Sequence, residues 1–191
     1  MTVPEEVAAA PRIAPGTRRD VGTVNWLVCR VLGRAGGTPP PNLFTTLGRH
    51  RGLFRGWLHF AGRLMPGGRL PRRETELVIL RVAHLRSCTY EWEHHVRLGR
   101  RAGIAADEIT RLEGDLDPDR WSEREAAILA TVDELHATGD LTDAAWEQLR
   151  IHLDDREAIE LLLLVGHYEM LATTLTALRI APDPHGPTGR R

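Results

Sequence analysis

The sequence predicts an all-α protein. No stretch alternates apolar and polar residues over the length of a strand, and no asparagine–glycine pair marks a β-hairpin. Apolar residues recur instead at helical spacing, and helix-capping and helix-ending residues divide the chain into segments. From these signals we expect roughly eight helices joined by short loops.

Length and composition indicate one ordinary hydrophobic core, because the chain has 191 residues of which 42% are hydrophobic. We predict one helical domain at residues 20–180, with a flexible N-terminal arm at residues 1–19 and a flexible C-terminal tail at residues 181–191. The chain contains arginine but no lysine and many alanines, a composition that resembles proteins of high-GC bacteria.

Charge and hydropathy exclude several classes of partner. A formal net charge of −1 with scattered arginines gives no electrostatic reason to expect nucleic acid or an anionic membrane surface. The longest purely apolar run, Leu161–Val165, is far shorter than the ~20 residues of a membrane span. The N-terminus carries Glu5 and Glu6 and lacks the apolar core of a signal peptide. Two cysteines, Cys29 and Cys88, make no disulfide framework, so we expect a cytoplasmic protein with reduced thiols.

The first third of the chain predicts three helices. Val21–Leu32 is apolar-rich and ends at glycines, and Cys29 within it is expected to be a small buried hydrophobe. Asn42 is the predicted cap of a helix over Leu43–Gly48. His50–Leu64 carries apolar and aromatic residues at helical spacing, which is typical of a core-facing helix.

The last part of the chain predicts four more helices, each with a recognisable beginning. They are a helix over Ala106–Leu112, one from the Ser122–Glu125 capping box to about Thr138, one capped by Thr142 and running to Leu149, and one capped by Asp154 and running to about Leu178.

A weak internal echo links two of the helices. Glu74 stands ten residues before His84, Glu157 stands ten residues before His167, and both intervening runs are apolar. The echo favours two related helical halves. Only the first copy is followed by a thiol.

The stretch RETELVILRVAHLRSCTYEWEHH, from Arg73 to His95, concentrates the reactive side chains. Glu76–Leu85 is apolar on nearly every face, which indicates a buried helix, and proline 71 opens it. We expect Ser87 to cap a second helix over Tyr90–Arg100, with the next residue, a cysteine, in its first turn.

On that second helix, Cys88, Glu91 and His95 are spaced i, i+3 and i+7, so the three side chains share one face. The trio allows acid–base chemistry, in which Glu91 and His95 pass a proton and burial raises the pKa of Glu76. It also allows thiol chemistry, because a helix N-terminus and a nearby imidazole lower the pKa of Cys88.

Two further interpretations of the same face stay open. His84 and His94 add metal-ligand types to the trio, although their spacing fits no common zinc motif, and we predict no metal. Alternatively, Glu91 and His95 form a surface helix pair and Cys88 is inert.

The same residues carry a resemblance. RETELVILRVAHLRSCTYEWEHHVRLGRRAGI resembles the motif of the carboxymuconolactone decarboxylase family, which includes the alkyl hydroperoxidase D proteins, and the similarity covers about residues 42–180. Glu76 falls twelve residues before Cys88, and His95 falls seven after it. By the resemblance they match the family's proton-relay glutamate, first cysteine and histidine, while Glu91 stands in place of the second cysteine.

The resemblance implies an alkyl hydroperoxidase D-like helical bundle that needs no metal or organic cofactor. It implies a homo-oligomer, a trimer or a multiple of it, and a small-molecule substrate. Because the dithiol is missing, it points to decarboxylation of a small carboxylated lactone or related activated acid. His95 would be the acid–base group paired with Glu91, and Glu76 a buried relay.

Four further residues complete the expected site. Arg81 or Arg97 would hold the carboxylate of the substrate, and Tyr90 and Trp92 would wall the pocket. Two alternatives remain. One is a single-cysteine antioxidant peroxidase that uses Cys88, and the other is a non-catalytic helical subunit that keeps only the fold.

Overall fold

The computed structural model describes residues 10–36 and 39–183, and all regular structure in those ranges is helical, which confirms the all-α prediction. Ten α-helices and one short 3-10 helix occur there, more than the eight we expected. They are α1 Arg18–Val21, α2 Thr23–Gly36, α3 Asn42–Leu47, α4 Arg51–Leu64, α5 Arg72–Leu85, α6 Thr89–Arg101, α7 Ala106–Arg111, the 3-10 helix Pro118–Arg120, α8 Glu123–Thr138, α9 Asp143–His152 and α10 Asp155–Leu178.

The described residues divide into two compact units, one of residues 10–36, 39–55 and 175–183 and the other of residues 56–174. Every residue predicted for the functional site falls in the second unit. Parts of the predicted arm and tail, residues 1–9 and 184–191, lie outside the described residues.

In the first unit, the segment before α1 is held by backbone hydrogen bonds at residues 12 and 16. The N–H of Arg12 donates to the carbonyl of Leu178 at 3.0 Å, and the N–H of Gly16 donates to the carbonyl of Thr45 at 3.1 Å. Cys29 is fully buried, as expected.

Two helix starts in this unit differ from the prediction. The helix predicted from Val21 is two helices, because Gly22 between them has φ +82°, a conformation that ends a helix. Asn42 does not cap α3: the helix begins at Asn42 itself, and its side-chain amide donates to the carbonyls of Ala181 and Pro182.

In the second unit, α5 is the central helix and packs against both α6 and α8. Ten consecutive residues, Glu74–Ala83, are buried, which confirms the predicted buried helix. The guanidinium of Arg73 binds Glu108 and Glu125 at 2.6 and 2.7 Å, so charged contacts as well as apolar packing hold the start of α5.

A second arginine joins the two segments that echo each other in sequence. Arg124 of α8 binds Glu74 of α5 through two hydrogen bonds, at 2.8 and 3.1 Å, and Glu157 of α10 at 3.0 Å. The equivalent glutamates of the echo therefore share one cation.

The predicted caps of the last three long helices are confirmed. Ser122 Oγ accepts from the N–H of Glu125, and Thr142 Oγ1 accepts from the N–H of Ala145. Asp154 Oδ1 accepts from the N–H groups of residues 156 and 157, both at 2.8 Å. These bonds satisfy donors that a helix N-terminus leaves open.

Among the described residues, one helix is long and apolar enough to cross a membrane by length and composition. It is α10, of 24 residues, and 44% of its apolar window is buried within the protein. The uninterrupted run Leu161–Val165 is only part of the apolar stretch of this helix, because further leucines, alanines, an isoleucine and a methionine lie on either side of it.

Candidate functional site

The turn between α5 and α6 fixes the start of the site. The N–H of Ser87 donates to the carbonyl of His84, and the N–H of Cys88 donates to the carbonyl of Ala83, both at 2.8 Å. This is a Schellman ending of α5, with Ser87 in the left-handed region at φ +49°. The predicted cap was wrong by one residue: a helix cap needs extended backbone, so Cys88 and not Ser87 takes the cap position of α6.

A glycine lets α6 approach α5 closely. A β-carbon at Gly99 would lie 3.2 Å from the terminal methyl groups of Leu80 and Ile104 and 3.9 Å from the β-carbon of Glu76. Gly99 therefore brings the inner face of α6 against Glu76, the buried carboxylate of α5.

The core of the site is a buried chain of three titratable groups. Nδ1 of His95 lies 2.7 Å from Oε2 of Glu76, and Nε2 of His95 lies 3.2 Å from Oε2 of Glu91. The three side chains are at most 4% exposed. Sequence reasoning placed all three in one site, and the structure brings them into direct contact.

Arg72 adds a second positive charge beside the two buried carboxylates, and it was not among the residues predicted from the sequence. Its guanidinium lies 2.5 Å from Oε1 of Glu76, and its side chain is 40% exposed. Arg72 therefore links the buried carboxylate to solvent. The i, i+4 spacing of Arg72 and Glu76 on one helix was the available signal.

His95 is held protonated at neutral pH. Burial by itself would lower its pKa, but hydrogen bonds to Glu76 and Glu91, reinforced by their charges, outweigh burial and raise the pKa to about 9. Two carboxylates thus stabilise one imidazolium, and the group can deliver a proton at pH 7.

The thiol of Cys88 is in the opposite situation. Its residue is 3% exposed, and burial raises its pKa. The N–H groups of Glu91 and Tyr90 favour the thiolate, whereas the carboxylate of Glu91 disfavours it, and the net pKa shift is upward. The activation predicted from the helix N-terminus and the imidazole is therefore wrong for the resting protein, because burial and a carboxylate dominate.

Arg81 has a structural role and not the substrate-binding role we predicted. Its guanidinium binds Asp133 through two hydrogen bonds, at 2.6 and 2.8 Å, and donates to the carbonyls of Leu112 and Gly114 at 2.8 Å. These partners engage all three guanidinium nitrogens, which leaves the group committed to joining α5 to α8 and to the loop after α7.

The other residues predicted to bind the substrate or to line its pocket, Arg97, Trp92 and Tyr90, all lie on α6, and their contacts differ from one another. Arg97 is exposed and contacts His94 at 3.3 Å, so it is not part of the buried chain. The ring of Trp92 lies 6.2 Å from that of His84 and packs against the apolar core. Tyr90 is 8% exposed, and its backbone N–H faces the sulfur of Cys88.

Two aromatic residues of α10 extend the site and were not predicted. The ring of Tyr168 meets that of His95 edge-on at 5.4 Å and that of His167 edge-on at 5.2 Å. His167 also stacks on Trp57 at 6.0 Å and meets Phe60 edge-on at 5.4 Å. The sequence echo had marked position 167 without assigning it a role.

Within residues 10–36 and 39–183, no group of three or more histidine, cysteine, aspartate or glutamate side chains is arranged to hold a metal ion.

A comparison with protein families covers the segment that contains this site. Residues 51–134 match the model of the carboxymuconolactone decarboxylase family. The matched segment contains Glu76, Cys88, Glu91 and His95, so all four side chains lie within the part of the protein that is similar to this family.

Solved structures share the fold over most of the chain. A peroxidase-related protein of a Silicibacter species has a TM-score of 0.75 at 19% identity, with 96% of this chain and 95% of that one covered. A putative antioxidant defence protein AhpD of Agrobacterium tumefaciens has a TM-score of 0.64 at 21% identity, covering 70% and 92%. The debrominase Bmp8, as a cysteine-to-alanine variant in complex with 2,3,4-tribromopyrrole, has a TM-score of 0.77 at 16% identity, covering 92% and 94%.

The TM-scores establish the shared alkyl hydroperoxidase D-like fold, and identities below 25% establish no activity. No protein with a curated function matches the chain in sequence.

Proposed function

We propose that this protein is a cofactor-free enzyme that decarboxylates a small carboxylated lactone, or a related activated acid, by acid–base proton transfer. The observation that carries the proposal is the buried chain Glu76–His95–Glu91, in which the imidazole is protonated at neutral pH. The similarity of residues 51–134 to the carboxymuconolactone decarboxylase family supports the substrate class.

Arg72 is the cation that suits the carboxylate of the substrate. Its guanidinium contacts Glu76 of the buried Glu76–His95–Glu91 chain, and its side chain is 40% exposed. Arginine can hold a carboxylate through two parallel hydrogen bonds. We assign this role to Arg72 in place of Arg81, whose guanidinium is engaged by Asp133 and two carbonyl groups, and of Arg97, which is exposed.

The proton leaves His95 on the side of Glu91. The Nδ1 contact with Glu76 is short, and Glu76 is itself held by Arg72, whereas the Nε2 contact with Glu91 is longer at 3.2 Å. When carbon dioxide departs, the electron pair of the broken carbon–carbon bond enters the conjugated carbonyl system. His95 then supplies the proton to carbon, directly from Nε2 or through Glu91, and is reprotonated from water.

The peroxidase alternative has less support. A peroxidatic thiol needs a low pKa and a resolving partner, whereas burial raises the pKa of Cys88 and Glu91 occupies the position of the second cysteine. Cys29, the other cysteine, is buried in the first unit. We further propose that the enzyme acts in the cytoplasm as a homo-oligomer, a trimer or a multiple of it.

The test is carbon dioxide release from carboxymuconolactone and a panel of unsaturated carboxylated lactones, run in deuterium oxide. The proposal predicts release from at least one lactone, with one deuterium bound to carbon in the product. Hydroperoxide is the comparison, with intact mass reporting a gain of about 16 or 32 Da on Cys88. Hydroperoxide turnover without release from any lactone would replace the proposal with the thiol alternative.

A further inference from the structure

His167 is a buried imidazole without a use in the mechanism above. It lies on α10 with 5% of its surface exposed, and its Nδ1 is buried without a hydrogen-bond partner in the described part of the chain. A buried polar atom left without a partner destabilises the folded protein. Such an atom calls for a hydrogen-bond partner other than the protein, such as an ordered water molecule or a bound ligand.

The surroundings of His167 fix the orientation of its ring. Trp57 stacks on one face with an interplanar angle of 20°, and Phe60 and Tyr168 meet the ring edge-on. A ring packed on several sides by aromatic groups cannot turn without disturbing them. Its unpartnered nitrogen is therefore preorganised, as a substrate-binding group must be.

His167 also belongs to the same site as the proton-transfer chain. Tyr168 lies between the two imidazoles, 5.2 Å from that of His167 and 5.4 Å from that of His95 between ring centroids. The carboxylate of Glu91, which contacts His95, is near enough for its charge to act on His167.

We propose that His167 is a further catalytic residue, whose Nδ1–H donates a hydrogen bond to the carbonyl oxygen of the substrate lactone. This assignment rests on the proposed decarboxylation. The bond between the carboxylate carbon and the ring breaks, carbon dioxide leaves, and the electron pair moves through the conjugated system to that oxygen. His167 holds the resulting enolate oxygen, and the proton that ends on carbon comes from His95.

The two imidazoles suit these different tasks. Burial lowers the pKa of His167, only partly opposed by the charge of Glu91, whereas the carboxylates of the chain raise the pKa of His95. A neutral imidazole can donate one hydrogen bond to an enolate oxygen without giving up its proton, and an imidazolium can protonate carbon.

The test uses tetronate, a stable five-membered lactone that is an enolate at neutral pH, with neutral 2(5H)-furanone as the comparison. Calorimetry measures affinity for the full-length wild-type protein and for His167→Asn, His167→Gln and His167→Phe. The amide nitrogen of asparagine takes the place of Nδ1, and that of glutamine takes the place of Nε2. His59→Phe, at an exposed histidine of α4, is the matched control.

We expect the wild type, His59→Phe and His167→Asn to bind tetronate within about threefold of one another and more tightly than furanone. His167→Gln and His167→Phe should lose about tenfold or more, the scale of one hydrogen bond to a charged group. In the wild type labelled with ¹⁵N-histidine, tetronate should shift the Nδ1 resonance of His167. This last measurement needs no variant to fold.

Three results would overturn the assignment: no tetronate binding by the wild type, equal binding by His167→Phe, or an unmoved His167 resonance. Failure of the proposed function looks different. In that case no lactone releases carbon dioxide, although tetronate still binds through His167. Conversely, lactone turnover that is the same in His167→Phe and in the wild type would keep the proposed function and remove His167 from it.

Discussion

The imidazole of His95 and the carboxylate of Glu76 meet at 2.7 Å, on two different helices and with no solvent between them. The contact depends on Gly99, whose missing side chain lets α6 settle against α5. It also depends on the Schellman turn through Ser87, which sets the starting point of α6. Because both partners are buried, their interaction should be visible in stability as well as in catalysis.

The first prediction concerns stability against pH. His95 has a folded-state pKa of about 9, raised above its ordinary value of 6.5. Its contribution to the free energy of unfolding is therefore fully present below about pH 6.5 and is lost as pH rises through 9. Denaturant titrations at pH 6 and pH 10 should show this loss in the wild type. In His95→Gln the loss should be smaller, and an identical pH dependence in the two proteins would contradict the coupling.

Sequence reasoning located Glu76, Glu91 and His95 because helical spacing and the family motif both mark them. It could not locate Arg72 as the partner of Glu76, since i, i+4 pairs are common on helices and most of them are solvated. It misjudged Arg81, because only the fold shows that Asp133 and two carbonyl groups engage its guanidinium.

The errors in helix boundaries have similar causes. Ser87 is a good helix cap by residue type. In the structure it belongs instead to the turn that ends α5, where its backbone is in the left-handed region. The buried α5 and the caps at Ser122, Thr142 and Asp154 were predictable, because their signals are local. The contacts of Tyr168 and His167 with the rest of the site join segments far apart in sequence, so local patterns carried no information on them.

The second prediction concerns Arg72. Arg72→Gln should raise KM for a carboxylated lactone about tenfold or more and lower kcat less, because it removes the cation that holds the carboxylate of the substrate. Arg97→Gln, at an exposed arginine on α6, is the control and should leave both constants unchanged. Steady-state kinetics of the two variants decide the point, and equal effects would exclude Arg72 from substrate binding.

The third prediction restores the second cysteine. Glu91→Cys removes a carboxylate that raises the pKa of Cys88, so the thiol should react faster with iodoacetamide at pH 8. The two cysteines, one helical turn apart, should form a disulfide under mild oxidant. Peroxidase activity should rise and decarboxylation should fall. Mass spectrometry of the alkylated and oxidised protein checks this, and slower alkylation with no internal disulfide would be the contrary result.

The fourth prediction tests the close approach of α6 to α5. In Gly99→Val the new side chain meets methyl groups already 3.2 Å from a β-carbon, so we expect a loss of about 1–3 kcal/mol in the free energy of unfolding. Gly62→Ala, in α4 with open space around its β-carbon, should instead gain up to about 1 kcal/mol. Urea titrations compare them, and an unchanged stability of Gly99→Val would show that the helices can separate freely.

The most direct measurement is the rate of carbon dioxide release by Glu76→Gln and by Cys88→Ser. Each variant is compared with the wild type on the lactone that the wild type turns over best. The glutamine keeps the shape of Glu76 but cannot carry charge, so kcat should fall on the order of a hundredfold, the usual scale for a positioned acid–base group. Cys88→Ser should remain mostly active, because the thiol takes no part in proton transfer. Full activity in Glu76→Gln together with complete loss in Cys88→Ser would contradict acid–base catalysis and assign the chemistry to the thiol.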